Sequence, residues 1–379
     1  MENFIVSARK YRPAKFLDVV GQEQVSETLK KALSSGKLAQ SFLFCGPRGV
    51  GKTTCARILA KSINCENPGK DFEPCNECTS CVSFSQNASF NIFELDAASN
   101  NSVDDIRILV DQVRFAPQSG KYKVYIIDEV HMLSQNAFNA FLKTLEEPPS
   151  YAIFILATTE KHKIIPTILS RCQIFDFKRI ADKDIVAQLN KICTTEGITA
   201  EPSALHVIAQ KADGGMRDAL SLFDKIGSYS GKNITYQDVI TNLNILDYEY
   251  YFKITEYFMQ EDASSVLTAF NEIINNGFDG EMFMLGIAEH LRNLLISKDS
   301  KTVQLLEASD DTKNKYLQQA NLVNETFLLN ALNVINQCDI DYKTSKNKRL
   351  TVELALLKIC FLNTQIENTL SIILGEKKN

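Results

Sequence analysis

A parallel-sheet α/β phosphate-binding domain followed by helical regions is the fold class that this 379-residue sequence predicts, on three observations. The apolar run 42–45 leads into Gly46-Pro-Arg-Gly-Val-Gly51-Lys52-Thr53, and a helical stretch, 53–60, follows directly. A second apolar run, 123–127, ends in Asp128-Glu129. Beyond residue 179 strand-like runs cease and the spacing of apolar residues becomes helical.

Composition sets the frame. Hydrophobic residues make up 45% and charged residues 23%, the balance of a soluble globular protein, and the length suggests two or three domains. A net charge of −5 argues against a uniformly basic nucleic-acid sleeve but leaves room for a local basic face. The first residues lack the basic start and long apolar core of an export signal. The late apolar stretch 350–374 is broken by Glu353, Lys358, Asn363, Gln365 and Glu367, so it does not read as a membrane span. A cytoplasmic protein is expected, whose ten cysteines are thiols or metal ligands rather than disulfides.

The glycine-rich stretch carries the first chemistry. Strand, Gly46–Thr53 loop and helix have the spacing of a P-loop, in which backbone N–H groups and a helix dipole face a phosphate. Lys52 would reach the β- and γ-phosphates and the Thr53 hydroxyl would hold Mg²⁺. Gly46, Arg48, Gly49, Val50, Gly51 and Thr54 complete the candidate nucleotide-binding stretch. A nucleoside triphosphate is the expected ligand.

Taken in order, the N-terminal segment 8–22 is bracketed by Pro13 and Gly21 and reads as mostly irregular. Its Tyr11, Val19 and Val20 either dock on the core or wall an adenine pocket, and Arg12 is counted with them as a nucleotide contact. Residues 24–33 read as an amphipathic helix capped by Gly36. Next come Cys65, Cys75, Cys78 and Cys81, whose interlocked C-x-x-C pairs match a tetrahedral Zn²⁺ site with no open position, hence a structural one. The other six cysteines stand singly in apolar patterns and read as packing residues.

Residues 91–96 predict a second strand and 103–113 a helix with Ser102 as its N-cap. In Asp128-Glu129, the strand delivers Asp128 to the Mg²⁺ shell while Glu129 orients or deprotonates the attacking water. His131 reads as a packing or hydrogen-bonding residue. A helix over 138–146 stops at Pro148-Pro149, and strand 152–157 ends in Thr158-Thr159, whose hydroxyls either approach the γ-phosphate or cap the next turn. A last strand, 173–177, follows Arg171, which by itself reads as a surface charge. Helices are expected over 184–195 and 202–212, and Arg217 opens another just after Gly214-Gly215, well placed to meet an anion. From residue 246 onward helices alternate with Asn/Gly/Asp breaks such as 275–277, a bundle that packs or oligomerises.

These motifs occur in one order: 8–13 (Ala-Arg-Lys-Tyr-Arg-Pro), the P-loop, the four cysteines, Ile127-Asp-Glu-Val-His-Met-Leu133, Leu145-Glu-Glu-Pro-Pro149, Leu156-Ala-Thr-Thr159, Ser170-Arg-Cys172 and Gly215-Met-Arg-Asp-Ala-Leu220. The sequence therefore resembles the gamma/tau subunits of the bacterial DNA polymerase III clamp loader, densely over residues 4–225 and only in topology afterwards. The resemblance implies an AAA+ ATPase core over 1–179 with a zinc module at about 64–82, a helical lid over 180–243, and a helical collar over 244–379. It implies that Thr159 is the sensor 1 residue, though many relatives carry asparagine there. It further implies that Arg171 is an arginine finger acting on a neighbour's ATP and that Arg217 is sensor 2. The cofactors would be ATP, Mg²⁺ and Zn²⁺. The partners would be delta and delta-prime type subunits and further copies of this chain in a five-subunit ring, with the sliding clamp and primer–template DNA, and no membrane. ATP binding would close the ring to open the clamp on DNA, and hydrolysis would release it, at replication forks in the nucleoid. Phosphate contacts by the helix start at Asn100, Asn101 and Ser102 are expected from helix N-terminus physics. Ending at Asn379, the chain is expected to be a short or truncated form.

The alternative is a stand-alone AAA+ DNA motor of the Holliday-junction branch-migration type. It would share the P-loop, the acids and the arginines, but would lack the four-cysteine insertion and need a winged helix in place of the helical tail. A non-hydrolysing structural subunit of a clamp loader is the other rival. Such relatives tend to lose residues equivalent to Lys52 or to Asp128 and Glu129, all present here.

Overall fold

The computed structural model describes residues 5–117, 120–243, 246, 248–299, 301–303, 306 and 310–364. The chain divides into two compact units, Met1–Asp238 and Val239–Asn379. No helix among the described residues is long and apolar enough to cross a membrane.

The first unit opens with α1 (Ser7–Lys10) and a 3₁₀ turn at Phe16–Asp18, so the N-terminal segment carries more local structure than its Pro/Gly content predicts. Then follow α2 (Glu23–Ser35), β1 (Ser41–Cys45), α3 (Lys52–Asn64), α4 (Thr79–Ser85), β2 (Ile92–Asp96) and α5 (Val103–Val113). After these come β3 (Lys123–Asp128), α6 (Gln135–Glu146), β4 (Ala152–Thr158), α7 (Pro166–Leu169) and β5 (Gln173–Asp176). Gly36 ends α2 at φ +66°, and Ser102 begins α5 in a capping box with Asp105, as the sequence predicts at both ends.

The five strands form one parallel sheet in the order β2-β3-β4-β1-β5. Strands buried on both faces need apolar residues at every position, which is why β1 and β4 read as unbroken apolar runs. Side chains alternate between two cores. Phe42, Phe44, Ile126 and Ile155 meet Val25 and Leu29 of α2 and Cys55 and Leu59 of α3. Leu43, Tyr125, Ile127 and Leu156 meet Ile106 and Leu109 of α5 and Phe138 and Phe141 of α6. The result is a three-layer α/β module, and all its strands point their C-terminal ends toward one edge.

The same unit continues through α8 (Asp182–Glu196), β6 (Thr199–Ala200), α9 (Pro202–Lys211), α10 (Met216–Ser230) and β7 (Asn233–Ile234), after which α11 (Tyr236–Leu243) crosses into the next. Strand structure therefore does not cease at residue 179, since β6 and β7 pair in parallel over two residues each. Pairs this short carry no alternation for a sequence reading to detect.

The second unit is helical: α12 (Tyr248–Met259), α13 (Ala263–Asn275), α14 (Gly280–Ile296), α15 (Asp310–Leu322), α16 (Glu325–Thr344) and α17 (Lys348–Cys360). Asp262, Asp279, Asn324 and Asn347 each cap the helix that follows with a side-chain oxygen. One core runs through the unit, with Phe258, Phe270, Leu291, Phe327 and Leu356 fully buried.

Candidate nucleotide site and cysteine cluster

The P-loop leaves the C-terminal end of β1, between β4 and β5. Gly46 stands at φ +151°, and a Cβ there would lie 2.5 Å from the Phe177 carbonyl oxygen, so the turn out of the strand admits glycine alone. Gly51, at φ +104°, is the N-cap of α3 and aims that helix's free N–H groups at the loop. Lys52 is buried, and its Nζ folds back to donate to Gly46 O at 2.8 Å and Pro47 O at 2.7 Å. Burial pushes its pKa down, and the charges of Glu129 and Asp128 oppose that shift. Val50 is buried beside it, Gly49 and Thr54 are half-buried, and Arg48 is exposed.

At the end of β3, Asp128 Oδ2 accepts from the Thr53 hydroxyl at 2.5 Å and Asp128 Oδ1 accepts from Glu129 N at 3.0 Å. A hydroxyl and a carboxylate at hydrogen-bond range beside a phosphate loop suit a Mg²⁺ shell, where adjacent oxygen ligands lie about 3 Å apart. Glu129 occupies the left-handed region at φ +47°. Its Oε2 accepts from Thr159 Oγ1 at 2.9 Å and Thr159 N at 3.2 Å. His131, with only 6% of its side chain exposed, lies 3.4 Å from Glu129 Oε2, 3.0 Å from Glu160 Oε2 and 3.1 Å from the Thr158 hydroxyl. Lys52, Thr53, Asp128, Glu129 and Thr159 thus converge on one edge of the sheet.

The start of α10 docks on the same loop. Arg217 N donates to Gly49 O at 3.3 Å, and a Cβ on Gly49 would meet Asp218 Oδ2 at 3.0 Å and Gly215 Cα at 3.2 Å. Partial burial and the positive charges of Arg57, Arg217 and Arg9 push the Arg12 pKa down, with Glu94 opposing. Arg57 itself forms an ion pair with Glu94.

The N-terminal candidates separate. Tyr11 gives its hydroxyl to Glu196 of α8, and burial together with that bond raises its pKa. Val19 is buried, with Cγ1 3.8 Å from where a Gly51 Cβ would stand, and Val20 is half-buried next to it.

Arg171 is not brought to this edge. β5 runs parallel to β1 with Gln173 beside Phe42 and Asp176 beside Cys45, so Arg171, two residues before β5, sits where the strands enter the sheet. The P-loop leaves from their other end, about 13 Å along the strands at about 3.3 Å per residue. The Arg171 guanidinium donates to Thr167 O at 2.7 Å and Ser170 Oγ at 3.3 Å, and pairs with Glu146 at 2.8 Å.

Cys65, Cys75, Cys78 and Cys81 come together with all four Sγ atoms within 4.8 Å of one another. Cys75 Sγ lies 3.5 Å from Cys65 Sγ and 4.0 Å from Cys81 Sγ, against the ~3.8 Å expected between thiolates on a tetrahedral zinc. Backbone N–H groups of Glu77 and Cys78 pull the Cys75 pKa down to about 6. Four thiols, amide support and free status fit a structural zinc.

Two residues of consequence escape the sequence reading of the site: Glu160 carries no motif, and Glu73 is a lone acid in a turn whose partners are far away in sequence. His131 is the packing and hydrogen-bonding residue that the sequence predicts.

Family models match three stretches of the chain: DNA polymerase III, delta subunit over residues 21–181; DNA polymerase III clamp loader subunit, ATPase lid domain over 184–229; and DNA polymerase III subunits gamma and tau domain III over 234–372. The DNA polymerase III subunit tau of Bacillus subtilis (strain 168) is 42% identical over 352 residues, 93% of this chain and 62% of its own length. The tau subunit of Escherichia coli (strain K12) is 42% identical over 298 residues, 78% of this chain and 46% of its own. The gamma subunit of Buchnera aphidicola subsp. Baizongia pistaciae is 36% identical over 371 residues, 96% of this chain and 98% of its own. The chain therefore spans less than two thirds of either tau relative.

Proposed function

The chain belongs to the gamma and tau subunit family of DNA polymerase III, and on that premise we propose that it is an ATPase subunit of a replicative clamp loader. The observation that carries this reading is the separation of Arg171 from Lys52. Lys52, Thr53, Asp128 and Glu129 gather at one edge of the sheet, which supports a triphosphate site there, while Arg171 stands at the other edge, which supports its acting on a neighbour's site.

In this mechanism Lys52 would exchange the Gly46 and Pro47 carbonyls for the β- and γ-phosphates, and Thr53 and Asp128 are the residues that would hold Mg²⁺. The metal, when bound, neutralises charge developing on the phosphates. Glu129, released from Thr159, orients the attacking water and accepts its proton. Thr159 and Arg217 contact the γ-phosphate region as sensors, and Val19, Val20, Tyr11 and Arg12 border the base and ribose. Arg171 of a neighbouring subunit stabilises the phosphoryl group in trans, which makes hydrolysis depend on assembly.

The fuller proposal is a ring of five subunits with delta and delta-prime type partners and copies of this chain. It loads a sliding clamp on primer–template DNA in the cytoplasm at the nucleoid. Residues 1–179 act as the ATPase core, 180–243 as the lid and 244–379 as the collar, and the four cysteines hold Zn²⁺. The test is ATP turnover by the chain alone and then with the loader subunits, clamp and primed DNA together. A slow basal rate raised strongly by the full set is expected. High turnover alone, or turnover indifferent to clamp and DNA, would overturn the reading in favour of a stand-alone motor.

A further inference from the structure

The cysteine module is tied to the nucleotide site by one buried carboxylate. Glu73, just before Cys75, has only 6% of its side chain exposed. Its Oε2 accepts from Phe16 N at 2.8 Å, and its Oε1 accepts from Leu17 N at 3.2 Å and pairs with Lys30 Nζ of α2 at 2.9 Å. Two backbone donors and an ammonium are the partners that a buried carboxylate requires, and charge-assisted bonds of this kind fix position strongly. Asn76, inside the module, adds a second grip: its Nδ2 donates to Ala14 O at 3.4 Å and its Oδ1 accepts from Lys61 Nζ of α3 at 3.0 Å.

What these contacts hold leads to the P-loop. The turn at residues 16–19 is closed by Val19 N donating to Phe16 O at 3.2 Å, and Val19 packs against the P-loop at Gly51. The backbone entering Glu73 is itself unusual, with Asp71 at φ +59° and Phe72 at φ +60°. An aromatic residue in the left-handed region persists only where its surroundings fix it, and this bend directs Glu73 inward.

We propose that Glu73 is a positioning residue for the nucleotide base, through which the four-cysteine module holds residues 14–19 against the P-loop. This rests on the nucleotide-site reading above. The phosphates are held by Lys52, Thr53 and the loop, none of which Glu73 touches, so its loss acts on recognition of the base and leaves phosphate binding in place.

The test uses the full chain with Glu73→Ala and Glu73→Gln, measuring metal content and calorimetric affinity for ATP and for inorganic tripolyphosphate. Glu73→Ala is expected to weaken ATP binding about tenfold, the scale of one charge-assisted hydrogen bond, while tripolyphosphate affinity and metal content stay within about twofold. Glu73→Gln, whose amide oxygen still accepts from Phe16 N or Leu17 N, recovers part of the loss. Unchanged ATP affinity in Glu73→Ala overturns the proposal. So does an equal loss for both ligands, which is what general destabilisation produces. Should the alanine variant fail to fold, the same ratio of affinities in Glu73→Gln decides. Wild-type chain with no ATP affinity would instead overturn the nucleotide-site reading itself.

Discussion

Thr159 holds Glu129 by two bonds to a single carboxylate oxygen, one from its hydroxyl at 2.9 Å and one from its backbone N–H at 3.2 Å. β4 ends at Thr158 and β3 ends at Asp128, so the residue after each strand faces the other across the sheet edge. His131 closes the arrangement by lying between Glu129 and Glu160. A carboxylate so engaged is oriented by the strand tip that would report on the γ-phosphate. Contact between Thr159 and a phosphate would therefore alter what Glu129 is free to do.

Glu129→Gln keeps the shape and the hydrogen-bond acceptor but removes the base. The variant is expected to bind ATP with near-normal affinity while its partner-stimulated turnover falls about 10²- to 10⁴-fold, the range of general-base catalysis. Equilibrium binding and steady-state turnover of the same preparation check this, and turnover within a few-fold of wild type would remove Glu129 from the role.

Arg171→Ala should leave ATP binding by the isolated chain intact, because Arg171 stands at the strand-entry edge and pairs with Glu146. In the assembled loader, turnover should fall on the order of 10³-fold, the scale of an arginine supplied in trans. Mixing the variant with a chain whose own site is blocked by Lys52→Ala separates the two positions. Normal turnover by an all-Arg171→Ala assembly would sink the trans assignment.

How much of this was legible before the fold follows from where each signal lies in the chain. The P-loop, Asp128-Glu129 and the four cysteines declare themselves because their chemistry is set by local spacing, and the strands that carry the first two, β1 and β3, are buried on both faces. The β6–β7 pair leaves no such signal, because two residues hold no period. Glu73 is silent in the sequence for a different reason. Its partners Phe16, Leu17 and Lys30 lie more than 40 residues upstream, and only the packing of α2 against the cysteine module brings them near. The same holds for His290, which is buried against Phe252 of α12 and Tyr316 and Gln319 of α15.

Metal analysis of the purified chain should return about one Zn²⁺ per molecule, as a four-thiolate structural site requires. Paired Cys75→Ser and Cys78→Ser substitutions should abolish it and lower the thermal stability of the first unit, since α3, α4 and the 14–17 segment all contact the module. Metal-free protein of unchanged stability would return the cysteines to ordinary thiols.

Tyr125 is fully buried in β3, stacked between Phe93 and Phe154, and its hydroxyl finds no hydrogen-bond partner among the described residues. Burial raises its pKa to about 12. An unsatisfied buried hydroxyl costs about 1–3 kcal/mol. Tyr125→Phe should therefore be neutral or stabilising by about 1 kcal/mol, measured by denaturant unfolding. Destabilisation beyond about 1 kcal/mol would mean that a water or a packing contact satisfies the hydroxyl.

His290 sets a pH dependence for the second unit. It is 1% exposed, packed against Phe252 and Tyr316, with Nδ1 3.2 Å from the Tyr316 hydroxyl and Nε2 3.0 Å from Gln319 Oε1. Gln319 donates its amide N–H to Phe252 O at 2.8 Å, so its Oε1 is the acceptor. His290 Nε2–H is then the donor to Gln319, and Nδ1 accepts from Tyr316: a neutral imidazole with both nitrogens satisfied. Burial lowers its pKa from 6.5 to about 4. The unfolded chain takes up a proton near pH 6.5 and the folded chain only near pH 4, so stability is complete above pH 6.5. It is lost as pH falls through that window, by at most about 1.4 kcal/mol per pH unit. Hydrogen exchange of α14 and α16 should quicken between pH 6.5 and 5, after correction for the intrinsic rate. In His290→Leu, which has no proton to gain, the opening free energy should be flat over the same range. A slope equal to that of wild type would show that another group carries the dependence.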